Sequence, residues 1–301
     1  MYDIVIIGSG PAGLSAAIYS QRAGLKAVVI EKNYMGTGQI SESERVDNYP
    51  GLFGENGFEL GAKFRAHAES LGAQFIESEV VKISRDGADF KVLLENGNTL
   101  NSHTVIYAVG TERRKLGVEG ENEFLGRGVS YCAVCDGAFY KNKIAAVAGG
   151  GDTALGDAAL LSKFAEKVYL IHRRDKFRAN KTLQEKIKNL PNVEILLNAQ
   201  IEKINGGAKA DSITVLQNGE TREIKTDGVF VAVGSVPNTA VVKDLVETDA
   251  NGYIVADESG VTSMQGLFAA GDVRTKSLRQ VVTAVSDGAN CVLSAEQYLG
   301  S

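Results

Sequence analysis

The chain has 301 residues, enough for two domains with separate cores, and its 44% apolar fraction is that of a globular protein. No apolar run reaches the length of a membrane-spanning helix, and a formal net charge of −5, with His172-Arg173-Arg174 as the one short basic cluster, argues against a nucleic-acid partner. Three cysteines do not make a disulfide framework, and they fit a reducing, cytoplasmic compartment.

The opening residues enter an apolar strand directly, without the charged stretch, long apolar core and small-residue cleavage site of an export signal. Asp3 to Ile7 predicts a buried parallel strand, and Gly8-Ser9-Gly10-Pro11-Ala12-Gly13 follows it with the spacing G-x-G-x-x-G. Leu14, Ala17, Ile18 and Ala23 then recur at helical spacing up to Gly24, and Ala27 to Ile30 reads as a second strand. In such a β-α-β unit Gly8 allows the turn, Gly10 lets backbone amides approach a pyrophosphate, and Gly13 allows close helix packing. Glu31, closing the second strand, stands where a carboxylate accepts hydrogen bonds from a ribose 2′-hydroxyl. Gly36-Thr37-Gly38-Gln39-Ile40, Ser41-Glu42-Ser43-Glu44 and Asn48-Tyr49-Pro50-Gly51 read as a polar loop, equally a ligand cover or a solvated surface segment. Phe58 to Leu71 predicts a packing helix, Val80 to Leu94 predicts hairpin strands with turns at Asp86-Gly87 and Asn96-Gly97, and Val105 to Gly110 another buried strand.

Cys132-Ala133-Val134-Cys135-Asp136-Gly137 places two thiols in reach of each other with a carboxylate beside them. Such a pair can close as a disulfide and open to a dithiol when two electrons arrive, and Asp136 is a candidate acid that moves a proton as one sulfur leaves. Two other readings compete, a structural zinc site and two incidental buried thiols. Zinc needs four ligands, and Cys291, His67, His103 and His172 lack ligand spacing, so no metal is expected.

The second half repeats the first. Lys143 to Ala148 predicts a strand, Gly149-Gly150-Gly151-Asp152-Thr153-Ala154 gives G-x-G-x-x-A before a helix through Leu160 and Leu161, and Val168 to Ile171 predicts the next strand. Where the first module has Glu31, this one has His172, Arg173 and Arg174, with Arg178 a helical turn on. Guanidinium groups pair with a 2′-phosphate, so this module is assigned to NADP(H), a solvated basic turn being the alternative. Lys176 to Lys188 predicts an amphipathic helix, and Val231-Ala232-Val233-Gly234 repeats the earlier Ala-Val-Gly strand end. Gly266 to Asp272 predicts a late strand, and the helix after Arg279-Gln280-Val281 runs to Leu299. Asp272 and that helix N-terminus suit a ribityl chain and a flavin anion, and Cys291 reads as a core thiol.

An N-terminal glycine fingerprint, C-A-V-C-D-G before a second fingerprint, H-R-R-D-K-F-R after it and A-A-G-D near the end occur together here. The combination resembles the bacterial low-molecular-weight thioredoxin reductases over essentially the whole chain. The resemblance implies an α/β protein of two Rossmann-like three-layer nucleotide-binding domains (the FAD/NAD(P)-binding fold), the FAD domain being discontinuous. It puts FAD on residues 1–113 and 242–301, NADPH and the CxxC on residues 114–241, and a domain rotation about Arg113–Leu116 and Asn238–Lys243. It also implies a homodimer. FAD contacts carried over by motif are Gly8, Gly10, Pro11, Ala12, Gly13 and Glu31, then Gln39, Asn48, Val81 and Gly110, then Asp272, Arg279, Gln280 and Val281. NADPH contacts are Gly151, Asp152, Thr153, Ala154, His172, Arg173, Arg174 and Arg178. The implied activity is NADPH-dependent reduction of the thioredoxin disulfide through FAD, with Cys135 facing the flavin, Cys132 attacking the partner disulfide and Asp136 as acid–base.

Thioredoxin would dock near Arg127 and Phe139, with Ala138 shrinking that surface where the family has an aromatic residue. The flavin loop here reads Thr37-Gly38-Gln39 in place of Gly-Gly-Gln, and Gly156-Asp157 replaces a Glu-Glu pair. A ferredoxin-dependent reductase and a dithiol oxidase share the architecture without phosphate-binding arginines, so Arg173, Arg174 and Arg178 speak against both; a nucleotide-binding redox sensor is the non-enzyme alternative.

Overall fold

Short apolar runs bounded by glycine become the inner strands of two sheets. The structure, a computed structural model, describes residues 1–43 and 45–300; Glu44, at the end of the Ser-Glu-Ser-Glu run, and Ser301 lie outside the described residues. In chain order the first elements are β1 (Tyr2–Ile7), α1 (Pro11–Arg22), β2 (Ala27–Glu31), α2 (Gly57–Ser70), β3 (Gln74–Glu77), β4 (Val80–Asp86), β5 (Asp89–Leu94) and β6 (Thr99–Tyr107). Next come β7 (Thr111–Arg113), β8 (Val129–Ser130), α3 (Ala133–Asp136), β9 (Ile144–Ala148), α4 (Asp152–Leu161), β10 (Lys167–His172) and α5 (Lys181–Lys188). The rest are β11 (Val193–Leu197), β12 (Ala199–Gly206), β13 (Ala210–Gln217), β14 (Glu220–Lys225), β15 (Gly228–Val231), β16 (Ser235–Pro237), β17 (Leu267–Ala269) and α6 (Val281–Leu299). None of the described helices is long and apolar enough to cross a membrane.

The chain divides into two units, residues 1–112 with 236–301, and residues 113–235. In the first, the described strands run β3-β2-β1-β6-β5-β4, with β17 also paired to β6. β1 is parallel to β2 and β6, with Ile6 opposite Val29 and Ile106. The period of two then sorts the side chains. Ile4 and Ile6 pack with Leu14, Ala16 and Ala17 of α1 and with Val292 of α6, while Val5 and Ile7 pack with Phe90, Val92 and Leu94.

Val105–Gly110 is not a strand of its own. Val105–Tyr107 is the end of β6, whose first half is antiparallel to β5 and whose second half is parallel to β1 and β17, and Ala108–Gly110 follow it outside the strand. The polar residues that split it in the sequence are satisfied inside the fold: Ser102 Oγ donates to Thr104 O, and Thr104 Oγ1 donates to Asp3 O at 2.8 Å.

The second unit repeats this plan. Its strands run β11-β10-β9-β15-β8, all parallel, and an antiparallel β12-β13-β14 sheet takes the place of the hairpin strands. β9, β10 and β15 correspond to β1, β2 and β6. The strand beside β15 is β8 and the strand beside β6 is β17, one entering its unit early in the chain and the other late. The segment carrying the cysteines therefore leaves its sheet where the Gly271-Asp272 segment leaves the other.

α5 is shorter than the periodicity predicts. Asn180 caps it by accepting from Leu183 N at 2.9 Å, and Arg178 N donates to Gly150 O at 2.8 Å, so residues 173–179 cross the second glycine turn instead of winding into the helix.

Candidate active site

Two turns of one design sit at the carboxyl ends of the parallel strands. Gly8 has φ +98°, and a Cβ there would lie 2.6 Å from Ala108 O; Gly149 has φ +154°, and its Cβ would lie 2.3 Å from Ala232 O. Both positions thus require glycine. The N-caps of α1 and α4 are Gly10 and Gly151, and neither supplies a side-chain acceptor to the first-turn amides. A Cβ at Gly151 would meet nothing within 4 Å, and one at Gly10 nothing nearer than 3.8 Å. Each helix therefore presents donating amides to open space, the arrangement that holds a pyrophosphate.

In the first unit Glu31 is tied to its turn: Oε2 accepts from Ser9 N at 2.9 Å and Ser9 Oγ at 2.8 Å, and Oε1 from Asn33 N at 3.0 Å. Pro11, Ala12 and Gly13 form the first turn of α1. Gln39, in a 3-10 turn beside Gly10, donates to Thr111 O, and Asn48 Nδ2 donates to Gln280 Oε1 at 2.8 Å. Gln280 caps α6, and Val281 is its first residue. Arg279 Nε donates to Asp272 O at 3.4 Å, with its guanidinium 4.1 Å from the Tyr253 ring centroid. Gly110 follows β6 at φ +66°, and Val81 is exposed on β4.

Sequence reading missed what anchors this turn. Asp287, 1% exposed within α6, accepts from Gly271 N, Arg274 Nε and Nη2, and Lys276 Nζ at 2.7–2.9 Å. The available signal was an aspartate at helical spacing with Ala284, Cys291 and Ala295, on the face that is buried.

In the second unit His172 is buried rather than presented to solvent. Its ring fills the space a Gly150 Cβ would need, stacks on Phe177 at 5.3 Å and donates through Nε2 to Lys176 O at 3.0 Å. Burial first, then the charges of Arg174, Arg178 and Arg173, lower its pKa, which keeps the ring neutral. The three arginines are themselves exposed, on the segment whose Arg178 N donates to Gly150 O. Asp152 accepts from Asn180 N and Nδ2 at 2.8 and 2.9 Å, Thr153 is exposed and Ala154 is fully buried.

Asp157, further along α4, is pushed up to about 7 by burial. The folded protein thus keeps this proton to higher pH than the unfolded chain, whose value is 3.8, so the group's contribution to stability is complete below 3.8 and is lost as pH rises through 7. Asp157→Asn is expected to flatten the fall in thermal unfolding temperature across that window; parallel falls in both proteins would contradict the assignment.

Cys132 and Cys135 are joined in a disulfide, with Cα atoms 5.3 Å apart and both residues partly exposed. Cys135 N donates to Cys132 Sγ at 3.2 Å. Val134, Ala138 and Phe139 form an exposed apolar rim. Asp136 Oδ2 accepts from Ser130 Oγ at 2.6 Å, and Cys132 N donates to the same Oγ at 3.0 Å. Glu121, 1% exposed, accepts from Leu116 N, Gly117 N and Tyr131 Oη, while Arg113 lies 5.3 Å from the Tyr131 ring centroid. That clamp holds the residue just before Cys132, and neither it nor Ser130 was legible beforehand. Arg127, exposed, donates to Glu123 O and Ala208 O. Cys291 is fully buried and its thiol is pushed up to about 12, chiefly by burial, so it is inert.

Paired nucleotide turns with a redox disulfide define a class, the dithiol flavoenzymes that use nicotinamide nucleotides. The family described as pyridine nucleotide-disulphide oxidoreductase matches residues 2–288, and the chain belongs to it. The thioredoxin reductase of Treponema pallidum is 44% identical over 301 residues, spanning 99% of this chain and 97% of its own length. That of Listeria innocua is 43% identical over 302 residues, spanning 99% and 94%. The crystal structure of the Streptococcus pyogenes thioredoxin reductase superposes with a TM-score of 0.94 at 41% identity, over 100% of this chain and 98% of that one. Within the family the chain is a member of the thioredoxin reductases, whose cofactors are FAD and NADPH. The two open glycine turns fit these dinucleotides.

Proposed function

We propose that the chain reduces the disulfide of thioredoxin with electrons from NADPH. FAD is held by residues 1–112 and 236–301 and NADPH by residues 113–235. The observation that carries this reading is a Cys132–Cys135 disulfide, with Cys132 N and the Asp136 carboxylate joined through Ser130 Oγ, in the same unit as a glycine turn and the exposed Arg173, Arg174 and Arg178. When bound, the two cofactors supply the electron pair that opens the disulfide.

On the first turn, the amides beyond Gly10 hold a pyrophosphate, Glu31 binds a ribose, and the Asn48–Gln280 and Asp272–Arg279 contacts shape the rest of the flavin cradle. Arg173, Arg174 and Arg178 select the 2′-phosphate of NADPH, while His172 supports the turn from beneath. In the open dithiol Asp136 takes a proton from one thiol. Cys132, as thiolate, attacks the thioredoxin disulfide, Asp136 returns the proton to the departing sulfur, and Cys135 then displaces the second. The Cys135 amide, already directed at Cys132 Sγ, stabilises the thiolate. Thioredoxin docks on the rim of Val134, Ala138 and Phe139 beside Arg127. The enzyme acts as a homodimer in the cytoplasm, where thiols are kept reduced.

The test is steady-state reduction of oxidised thioredoxin by the FAD-loaded protein. Turnover with NADPH supports the proposal. Flavin reduction by NADPH with no turnover of any thioredoxin would favour a redox sensor instead.

A further inference from the structure

We propose that Ser130 is a positioning residue for the exchange reaction, its hydroxyl fixing the Asp136 carboxylate beside the dithiol. The inference rests on Asp136 being the acid–base group, and names the residue that aims it. Ser130 ends β8 and is 6% exposed. Three groups converge on its Oγ: Cys132 N donates to it at 3.0 Å, Asp136 Oδ2 lies at 2.6 Å, and Cys132 O at 3.5 Å.

A serine hydroxyl has one proton and two lone pairs. The Cys132 amide can only donate, so it occupies a lone pair and leaves the proton to be given away. Of the two acceptors, the carboxylate is closer and charged, so the proton goes to Asp136. The donors therefore run one way, from the Cys132 backbone through Ser130 to Asp136. Asp136 is bound to the backbone of the attacking cysteine itself, and it keeps that position when the sulfur–sulfur bond opens.

The chemistry needs such a fixed base. One enzyme thiol gives its proton to Asp136; a Cys132–partner sulfur bond forms as the partner disulfide breaks, and the departing partner thiolate takes that proton. Cys135 then gives up its own proton and attacks Cys132 Sγ, re-forming the enzyme disulfide, and the second partner sulfur leaves as a thiol. Other titratable groups stand nearby. Tyr140 follows in the next turn, its phenol pushed up to about 12 by burial, then by the charges of Asp136 and Asp227. Tyr131 donates to Glu121, and α4, packed against α3, carries Asp152 and Asp157.

The experiment compares Ser130→Ala, Ser130→Thr, Asp136→Asn and the Ser130→Ala/Asp136→Asn double variant as FAD-loaded full chains. Ser130→Ala is expected to lower thioredoxin turnover about tenfold, the scale of one hydrogen bond to a charged group. Its acid limb moves to higher pH, because a carboxylate that loses a donor holds its proton more tightly, and it does so in an Asp157→Asn background as well. Flavin reduction by NADPH stays unchanged, Ser130→Thr restores turnover, and Ser130→Ala adds no loss once Asp136 is Asn. Two results would overturn the inference: wild-type turnover and pH profile in Ser130→Ala while Asp136→Asn is impaired, or the same tenfold loss in both backgrounds, which marks a merely structural role. Full turnover by Asp136→Asn would remove the acid–base assignment and the inference with it.

Discussion

Cys135→Ser is expected to retain reduction of bound flavin by NADPH and to lose thioredoxin turnover by on the order of a thousandfold or more, the scale seen when a covalent participant is deleted. The reason lies in how the two functions are distributed. In the proposed function NADPH binding falls to the turn at Gly149–Ala154 and the arginines after β10, and no atom of Cys135 belongs to that turn. Transfer to a protein disulfide needs both sulfurs, because Cys132 alone would stop at a mixed disulfide with no second thiol to release the partner. Trapping that stalled species gives the prediction its sharpest form. Incubated with singly activated thioredoxin, Cys135→Ser should accumulate a covalent adduct through Cys132, whereas Cys132→Ser should accumulate far less. Equal adducts from both would reverse the roles given to the two cysteines.

The second large effect is on nucleotide choice. Arg173→Ala/Arg174→Ala is expected to raise the KM for NADPH about a hundredfold, two lost hydrogen bonds to a charged group, with little change for NADH. Both arginines are exposed, so their removal leaves the core intact. His172 behaves differently. Buried against Gly150, it supports the turn's shape, and its loss would weaken both nucleotides alike. Steady-state kinetics with the two nucleotides separate these cases, and an unchanged NADPH KM in the double variant would remove the arginines from the site.

Much of the fold was legible because its signals are local. β1, α1 and β2, and again β9, α4 and β10, follow from apolar runs, glycine spacing and helical periodicity that each unit carries by itself. The repeat in the sequence became a repeat in strand order. What stayed hidden depends on contacts between residues far apart in the chain. Asp287 holds Gly271 through a bond no periodicity reveals, and Glu121 looks like a surface acid until the amides of Leu116 and Gly117 and the Tyr131 hydroxyl close on it. β3 is only four residues long, too short for a pattern. Lys176–Lys188 misled because its charge spacing is helical throughout, whereas the Arg178 amide is claimed by Gly150. At the candidate site, Cys132, Cys135 and Asp136 were evident from type and spacing, but Ser130 was not, since one serine before a cysteine carries no signal without the distances.

The most direct test of the account is thiol counting after anaerobic reduction. The FAD-loaded protein is treated with NADPH, alkylated in the native state and mapped by mass spectrometry. The account predicts labels on Cys132 and Cys135, none on the fully buried Cys291, and none anywhere when NADPH is omitted. Flavin that bleaches with NADPH while Cys132 and Cys135 stay unlabelled would contradict it, because electrons would then reach the cofactor and go no further.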